Sequence, residues 1–227
     1  MRVLTLDVGN TTVDACVFEG DKPKPMGRLP HGKLGELAGD YDLVVVSSVK
    51  ESLNEEIMKV FGDRVRFVKV SDVPIEIDYE TPETLGVDRV LFAYGVNDQI
   101  SEDAVLVMAG TALVVDLLLD GVFRGGFITA GLGLKLKALS EKAEGLPDVK
   151  PERLETLLGK GTRECILGGT YLESLSFIKV TAERWVHEFK RELPIVITGG
   201  EGRLFEDMGI YDPLILHRAM LGIIING

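Results

Sequence analysis

Apolar and polar positions alternate in short blocks along the chain, and these blocks predict a mixed α/β fold. Residues 1–6 form an apolar run, a polar tip with a glycine follows, and residues 13–18 form a second run. Two such runs around a glycine-bearing tip are typical of a β-hairpin. The buried-type run 42–49 precedes residues 51–61, whose apolar residues recur at helical spacing, and residues 64–70 again read as a strand. Strand, helix and strand in this order predict a parallel α/β unit.

The pattern starts again near the middle of the chain, after a predicted helix over residues 87–99. From Ala104 onward we find an apolar strand, a glycine-threonine tip and a second apolar strand. Both copies carry an aspartate on the exit strand (Asp14 and Asp116), and the alignment sets Met108 opposite Asp7. The repeat predicts two α/β halves, residues 1–103 and 104–227, with a cleft between them.

The rest of the second half is predicted to be mostly helical. We expect helices over residues 135–142, 151–158 and 165–191, a strand over 194–198, and an apolar C-terminal helix over 214–225 that docks on the second half. The third of these helices has an apolar stripe from Leu172 to Trp185. The stripe fits either a core or a dimer interface, and periodicity does not choose between them.

Charge and composition narrow the function classes. The chain has 25 Lys and Arg against 36 Asp and Glu, a net charge of -11, so nucleic acid and anionic membranes are not expected as partners. No apolar run reaches the length of a membrane span, and the N-terminus lacks a signal-peptide pattern, so we expect a cytoplasmic protein. The two cysteines and the three scattered histidines (His31, His187, His217) indicate no metal site, and we interpret the histidines as surface or packing residues.

Three glycine turns each follow a predicted strand directly, and together they suggest phosphate binding. The first turn offers Asp7 as a Mg²⁺ ligand, directly or through water, and Gly9 followed by polar side chains for phosphate oxygens. The others are the tip 109–111 and the segment 198–202. None is a Walker A loop or a GxGxxG motif, and the first alone would also suit an ordinary hairpin. The three together predict an ATP-dependent phosphotransferase.

The order and spacing of these motifs resemble type III pantothenate kinase along nearly the whole chain. The matching motifs are DVGNTT at 7–12, Tyr79-x-x-Pro82-x-x-x-Gly86-Val87-Asp88-Arg89, AGTA at 109–112, GG at 125–126, GKGT at 159–162 and TGG at 198–200. The resemblance implies two actin-like (ribonuclease H-like) halves and ATP-dependent phosphorylation of pantothenate, the first step of coenzyme A biosynthesis. It also implies Mg²⁺ with ATP, a monovalent cation such as K⁺ or NH₄⁺, and a homodimer whose interface forms the sites.

The same resemblance assigns roles to individual residues. Asp88 falls on the general base, which would accept the proton of the substrate hydroxyl as its oxygen attacks the γ-phosphorus. Arg89 would either neutralise the anionic substrate or orient Asp88, and Thr162 would be supplied across the dimer. The implied ATP-binding residues are Asp7, Val8, Gly9, Asn10, Thr11, Thr12, Val13, Asp14 and Thr111. The implied substrate-binding residues are Tyr79, Gly86, Val87, Asp88, Arg89 and Thr162.

Met108 departs from the family pattern. The family usually has an aspartate before the second AGT, where it coordinates the monovalent cation, and a thioether is a poor ligand for K⁺. Two hypotheses follow: the protein works without K⁺, or it has lost activity. The alternatives to an active pantothenate kinase are therefore a non-catalytic nucleotide-binding regulator on the same scaffold, and a kinase or phosphatase of the same superfold that acts on another small molecule.

Overall fold

The computed structural model describes residues 1–226, which form eleven strands and five α-helices joined by short 3₁₀ turns. The strands are β1 (Arg2–Val8), β2 (Thr12–Glu19), β3 (Lys22–Pro30), β4 (Leu43–Ser48), β5 (Val65–Phe67), β6 (Glu76–Ile77), β7 (Ala104–Ala109), β8 (Ala112–Leu119), β9 (Val122–Ala130), β10 (Ile195–Thr198) and β11 (Ile210–Tyr211). The helices are α1 (Asn54–Phe61), α2 (Val87–Gln99), α3 (Leu132–Lys142), α4 (Thr162–Phe189) and α5 (Ile215–Asn226). The predicted α/β class is confirmed.

The chain forms two compact units. The first unit comprises Met1–Ile100 and the C-terminal segment from Leu214, and the second comprises Ser101–Pro213. In the first unit, a five-stranded sheet has the order β3-β2-β1-β4-β5, with β1 antiparallel to β2 and parallel to β4. One face of this sheet packs into an apolar core around Leu6, Val46 and Phe61. The strands are predominantly apolar because the sheet lies between this core and helices on its other face.

The second unit repeats the same strand arrangement. Its strands β11-β10-β7-β8-β9 lie side by side, with β7 antiparallel to β8 and parallel to β10. Helices α3 and α4 cover one face, and the core there includes Val107, Val115 and Ile178. The repeat predicted from the sequence is therefore present in the topology, because β7, β8 and β10 take the places of β1, β2 and β4.

The register defines the equivalent positions of the two units. Asp7, the last residue but one of β1, pairs with Asp14 on β2 and with Ser47 on β4. Met108, the last residue but one of β7, pairs with Val114 on β8 and with Thr198 on β10. The alignment of Met108 with Asp7 therefore holds in three dimensions. The structural counterpart of Asp14 is Val114, whereas Asp116 lies two residues further along β8 and pairs with Leu106.

Two predictions about secondary structure were wrong or incomplete. Residues 151–158 form no helix: Leu154 packs against the core of the second unit, but Leu157 and Leu158 are exposed, so the segment buries too little apolar surface to stabilise a short helix. Strand β3 was not predicted because Pro23 and Pro25 interrupt its sequence. It forms at the outer edge of the sheet, where the missing proline N–H groups cost no pairing.

The C-terminal helix α5 was expected on the second half, and this expectation is corrected. It packs against α2 and β1 of the first unit. Gly95 of α2 allows the close approach, since a Cβ built there would lie 3.0 Å from Ile215 Cγ1 and 3.2 Å from the Cβ of Ala219. Helical periodicity gives the apolar face of such a helix but not the surface that it covers.

No helix within residues 1–226 combines the length and apolar character needed to cross a membrane.

Candidate active site

The first glycine turn joins β1 to β2 and presents its polar residues to solvent. The turn closes with a hydrogen bond from Gly9 N to Thr12 O of 3.0 Å, and Asn10 and Thr11 are exposed at its tip. Val8 and Val13 form the last strand pair and are buried in the core. Any contact of these two valines with a nucleotide would therefore come from their backbone.

Gly9 has room for a side chain within the protein itself. A Cβ built there would meet only Thr12 O, at the ordinary contact distance of 3.5 Å. The fold of the turn therefore does not require glycine at this position. A bound group that approaches the backbone closely would require it.

Asp7 is an acid of the site whose pKa is raised. Its pKa is raised from 3.8 to about 6, chiefly by burial and then by the negative charges of Asp88 and Asp14, while His217 and Arg28 act in the opposite direction. Because the charge of Asp88 acts on the pKa of Asp7, the predicted metal ligand and the predicted general base belong to one electrostatic cluster of the first unit. Clusters of acids with shifted pKa values are typical of functional sites.

The surroundings of Asp7 fit a hydrated Mg²⁺ ion. Ser47, its register neighbour on β4, points to the same face of the sheet, and its buried hydroxyl has no hydrogen-bond partner within the described part of the chain. Mg²⁺ takes oxygen ligands and usually retains several waters, with one or two protein carboxylates and the phosphates of the substrate. The Asp7 carboxylate and the Ser47 hydroxyl offer oxygen ligands of this kind.

Asp14 is held by two cationic or potentially cationic side chains. Arg28 Nε donates to its Oδ2 at 2.7 Å, and His217 Nε2 lies 3.6 Å from its Oδ1. Although burial acts in the opposite direction, these partners lower the pKa of Asp14. His217 is buried on α5, and its Nδ1 lies 2.8 Å from the hydroxyl of Thr5.

The predicted substrate segment begins helix α2. Asp88 lies in the first turn of this helix, where its negative charge interacts favourably with the positive end of the helix dipole. Its Oδ1 accepts a hydrogen bond from Arg89 N at 2.9 Å. A Cβ at Gly86 would lie 2.5 Å from this same carboxylate oxygen. Glycine at position 86 therefore leaves the space in which the Asp88 carboxylate sits.

Tyr79 and Arg89 form one contact although ten positions separate them in the chain. The guanidinium carbon of Arg89 lies 5.7 Å from the centre of the Tyr79 ring, and Arg89 is buried. A pocket of about 600 Å³ reaches the start of α2 and is lined by residues 48–49, 51, 68–71 and 82–87. The structure thus brings together five of the predicted substrate residues, Tyr79 and Gly86 to Arg89, beside a pocket large enough for a small organic acid.

Two further residues at the first turn were missed by the sequence analysis. His31 Nε2 lies 3.1 Å from Gly9 O, and Lys50 Nζ lies 3.3 Å from both Asn10 O and His31 Nδ1. The interpretation of His31 and His217 as surface or packing residues is therefore incomplete. Lys50 follows the carboxyl end of β4, and ligands of open α/β sheets bind at such ends. That rule is the one sequence signal that could have identified it.

In the second unit, three glycine-containing turns are tied together. Gly131 N donates to Thr111 O at 2.9 Å, and Glu201 N donates to Ala109 O at 2.9 Å. The Glu201 carboxylate, which the sequence analysis did not single out, accepts from Leu132 N at 3.0 Å and from Gly133 N at 2.9 Å. The first turn of α3 is thereby anchored on the segment that follows β10, and the tip with Thr111 is held by both.

The position of Met108 does not fit a monovalent cation that needs hard ligands. Its register neighbours are Val114 and Thr198, so a thioether and a hydrocarbon stand where the first unit has the carboxylates of Asp7 and Asp14. K⁺ prefers oxygen ligands. Of the remaining predicted residues, Thr111 is exposed at the tip of the second turn and Thr162 is exposed as the first residue of α4.

Comparison of the sequence with known proteins identifies a single family. Residues 3–184 match the model of the type III pantothenate kinase family. A type III pantothenate kinase of Aquifex aeolicus is 49% identical over 220 residues, which cover 97% of this chain and 96% of the relative. The type III pantothenate kinase of Persephonella marina is 32% identical, with 89% and 88% of the two chains covered.

Solved structures with the same fold are more distant in sequence. A Campylobacter jejuni protein proposed to be a Baf family transcriptional activator superposes with a TM-score of 0.70 at 22% identity, with 98% of each chain covered. A ROK family glucokinase of Streptomyces griseus, solved with glucose and AMPPNP, superposes with a TM-score of 0.54 at 12% identity, again with 98% of each chain covered. These similarities identify the actin-like, sugar-kinase fold.

Proposed function

Because this chain belongs to the type III pantothenate kinase family, we propose that it transfers the γ-phosphoryl group of ATP to pantothenate through the acidic cluster of its first unit. The reaction yields 4′-phosphopantothenate and ADP and is the first step of coenzyme A biosynthesis. The single observation that carries the assignment of the site is the acidic cluster at the end of β1, where Asp7 pairs with Asp14 and Ser47 and the charge of Asp88 acts on Asp7. A metal-binding carboxylate and a general base must be neighbours when both act on one transferring phosphoryl group.

Asp88 is proposed as the general base. Its carboxylate accepts the proton of the primary hydroxyl of pantothenate while that oxygen forms a bond to the γ-phosphorus and the bond to the bridging oxygen of ADP breaks. Transition states of this kind require positioning more than strong basicity. The hydrogen bond from Arg89 N and the space beside Gly86 support this role, because they fix the orientation of the Asp88 carboxylate.

The first glycine turn is proposed to bind the ATP phosphates. Asn10, Thr11 and Thr12 offer side-chain donors at its tip, and the backbone at Gly9 is open to close approach. Asp7, with the hydroxyl of Ser47, would hold the Mg²⁺ that accompanies ATP and neutralises charge on its phosphates. Thr111 of the second unit is proposed as a further nucleotide contact.

Pantothenate is proposed to bind beside the start of α2. The pocket lined by residues 82–87 and the stacked pair of Tyr79 and Arg89 combine apolar surface with a buried cation. This combination suits a substrate with an alkyl body and a carboxylate.

The protein is proposed to work without a monovalent cation. The support is the oxygen-poor surroundings of Met108, which lack the carboxylates of the equivalent position in the first unit. The requirement for K⁺ or NH₄⁺ that the family resemblance implies is thus proposed not to hold for this chain.

A homodimer is proposed as the working assembly. Helix α4 exposes Leu172 and Val180 to 49% and 51%, and β9 exposes Phe127 and Ile128 to 50% and 58%. Contiguous apolar patches mark interfaces, and these four side chains are proposed to contribute to one. In such a dimer, Thr162 of the partner subunit would contact pantothenate. Light scattering should give twice the mass of one chain, and Leu172→Glu together with Val180→Glu should give single chains. The cytoplasmic location stays a prediction.

The kinase assignment is tested by incubating the protein with ATP and pantothenate and detecting 4′-phosphopantothenate by mass spectrometry. We expect Asp88→Asn to lower kcat by about 10²- to 10⁴-fold, because the proton acceptor is lost. The matched control is Asp98→Asn, on the same helix and exposed, which should behave as the wild type. Full activity of Asp88→Asn would remove Asp88 from the role of base.

The same assay separates the alternatives. A regulator on this scaffold would bind ATP without forming a product, and a kinase for another small molecule would phosphorylate a different alcohol in a substrate panel. The family membership does not favour the regulator, and the neighbouring carboxylates of Asp7 and Asp88 are what a phosphoryl-transfer enzyme needs.

A further inference from the structure

Lys50 and His31 form a small polar cluster on the tip of the first glycine turn. The Nζ atom of Lys50 lies 3.3 Å from Asn10 O, and the Nε2 atom of His31 lies 3.1 Å from Gly9 O. A third contact of 3.3 Å joins Lys50 Nζ to His31 Nδ1. The cluster thus contacts the backbone of Gly9 and Asn10, the first two residues of the turn, and it lies wholly within the first unit.

The hydrogen bonds define which atoms carry protons. A carbonyl oxygen only accepts, so His31 Nε2 carries the hydrogen that it donates to Gly9 O. An ammonium group only donates, so His31 Nδ1 is the acceptor of a hydrogen bond from Lys50. His31 therefore links the turn to Lys50: its Nε2 is hydrogen bonded to Gly9 O, and its Nδ1 orients the Lys50 ammonium group.

The positive charge of Lys50 has no carboxylate partner. Within residues 1–226, its Nζ makes contacts only with Asn10 O and His31 Nδ1, and both are neutral groups. An ammonium group has three N–H donors, so one remains for a further acceptor. By contrast, Arg28, the other cation near this turn, is bound to Asp14.

A half-buried lysine with only neutral partners indicates an anionic ligand. The chain has an excess of 11 negative charges, so carboxylates to pair with a lysine are abundant. The site also carries the carboxylates of Asp7, Asp14 and Asp88, which oppose the approach of an anion. A cation aimed at the tip of the turn offsets this repulsion, as the lysine of a Walker A loop does with its phosphates.

We propose that Lys50 is a phosphate-binding residue of this site, held in place by His31, and that it contacts the terminal phosphates of the nucleotide. The proposal rests on the proposed function, since it assumes that ATP binds at the first turn. The role requires the charge and the reach of an ammonium group, and the hydrogen bond from Lys50 to Asn10 O positions the ammonium at the exposed tip of the turn.

The test is calorimetric binding of ATP, ADP, AMP and adenosine to the wild type and to Lys50→Met, each with Mg²⁺ present. We expect Lys50→Met to weaken ATP binding about 10- to 100-fold, because a charge-assisted hydrogen bond is lost, and to leave AMP and adenosine binding unchanged. Lys50→Arg should retain most of the ATP affinity. The matched control is Lys59→Met on α1, an exposed lysine of the same unit, which should bind all four ligands as the wild type does.

His31→Leu gives a second, independent reading. It removes the acceptor that orients Lys50 but leaves the charge, so ATP affinity should fall by less than in Lys50→Met, and little further in the double variant. Thermal unfolding of each variant shows whether the fold is retained.

The results separate this proposal from the kinase assignment. Unchanged ATP affinity in Lys50→Met, or an equal loss for ATP and AMP, overturns the role of Lys50 even if the wild type phosphorylates pantothenate. ATP binding that depends on Lys50, in a protein that forms no 4′-phosphopantothenate, supports the phosphate contact and contradicts the kinase assignment. A wild type that binds no ATP overturns both.

Discussion

The two units use one strand arrangement for two different kinds of turn. In the first unit, the residue before the last of the central strand is Asp7, flanked by Asp14 and Ser47, whereas in the second unit it is Met108, flanked by Val114 and Thr198. The first unit thus concentrates charge at this level of the sheet, and the second unit does not. Equivalent backbone positions therefore need not share a function, and the chemistry has to be read from the side chains at each position.

The turns also differ in what holds them. The first turn closes on itself with the bond from Gly9 N to Thr12 O, and its glycine has room for a methyl group. In the second unit, Gly131 and Gly199 lie against the backbone of the tip, where a Cβ would come within 1.8 Å of Gly110 O and 2.3 Å of Ala109 O. We infer that Gly9 is needed for the close approach of a ligand to the first turn. Gly131 and Gly199 are needed for the close packing of backbone around the second turn.

The largest expected effect comes from removing the charge of Asp7. Asp7→Asn should lower kcat/KM at least about 100-fold, because the carboxylate that is proposed to bind the metal is lost, while Met108→Asn should change it little. The variant should also be more stable at pH 8, by up to about 3 kcal/mol, since ionised Asp7 is unfavourable in the folded state.

The pH dependence checks the sign of this effect. The pKa of Asp7 is higher in the folded chain, about 6, than its ordinary value of 3.8, so the folded state binds more protons between these values. The free energy of unfolding of the wild type therefore falls as the pH rises from about 4 to about 6, because ionised Asp7 is unfavourable in the folded state. Urea unfolding should show the advantage of Asp7→Asn above pH 6 and none below about pH 4. An advantage that grows toward low pH would contradict the account.

The next effect separates the glycines of the two units. Gly199→Ala should lower the free energy of unfolding by about 2–4 kcal/mol, because residue 199 has a φ of +96° and a Cβ there overlaps the backbone at Ala109. Gly9→Ala should cost less than about 1 kcal/mol, yet raise the KM for ATP about tenfold if a phosphate approaches the backbone there. Denaturant titration and steady-state kinetics on both variants measure the contrast. Similar stability losses in the two would show that the distinction is wrong.

The sequence predicted most of the elements that hold the site. Both hairpins, the parallel strand beside the first one and helix α2 from Val87 to Gln99 follow from apolar periodicity and glycine turns, which are local signals. The family and its reaction were likewise predicted, from the spacing of short motifs, and are confirmed.

The missed features depend on contacts between distant parts of the chain. His217 reaches Asp14 only because α5 packs on the first unit, and the sequence does not say which surface an apolar helix covers. Lys50 reaches Asn10 because β4 lies beside β1. Glu201 is 68 residues from Gly133, to which it is hydrogen bonded. A single polar side chain carries no periodic signal, so such pairings become visible only in the folded structure.

The smallest expected effect comes from making the second unit resemble the first. Met108→Asp restores a carboxylate next to the tip 109–111, so the variant should acquire a response to K⁺, with activity raised severalfold over the same variant in Na⁺. Met108→Leu, which is similar in volume and apolar, is the matched control and should give no response. A K⁺ response in both variants would show that the side chain at position 108 does not decide cation use.

The most direct test of the account is the rate of pantothenate phosphorylation by the wild-type protein in K⁺-free Na⁺ buffer and again with K⁺ added. Since the proposed catalytic carboxylates lie on the first unit and Met108 pairs with Val114 and Thr198 instead of carboxylates, we predict turnover in Na⁺ that K⁺ changes by less than about twofold. Severalfold stimulation by K⁺, with Na⁺ as the control, would contradict the independence from a monovalent cation. No turnover in either buffer, with ATP still bound, would contradict the assignment as an active kinase.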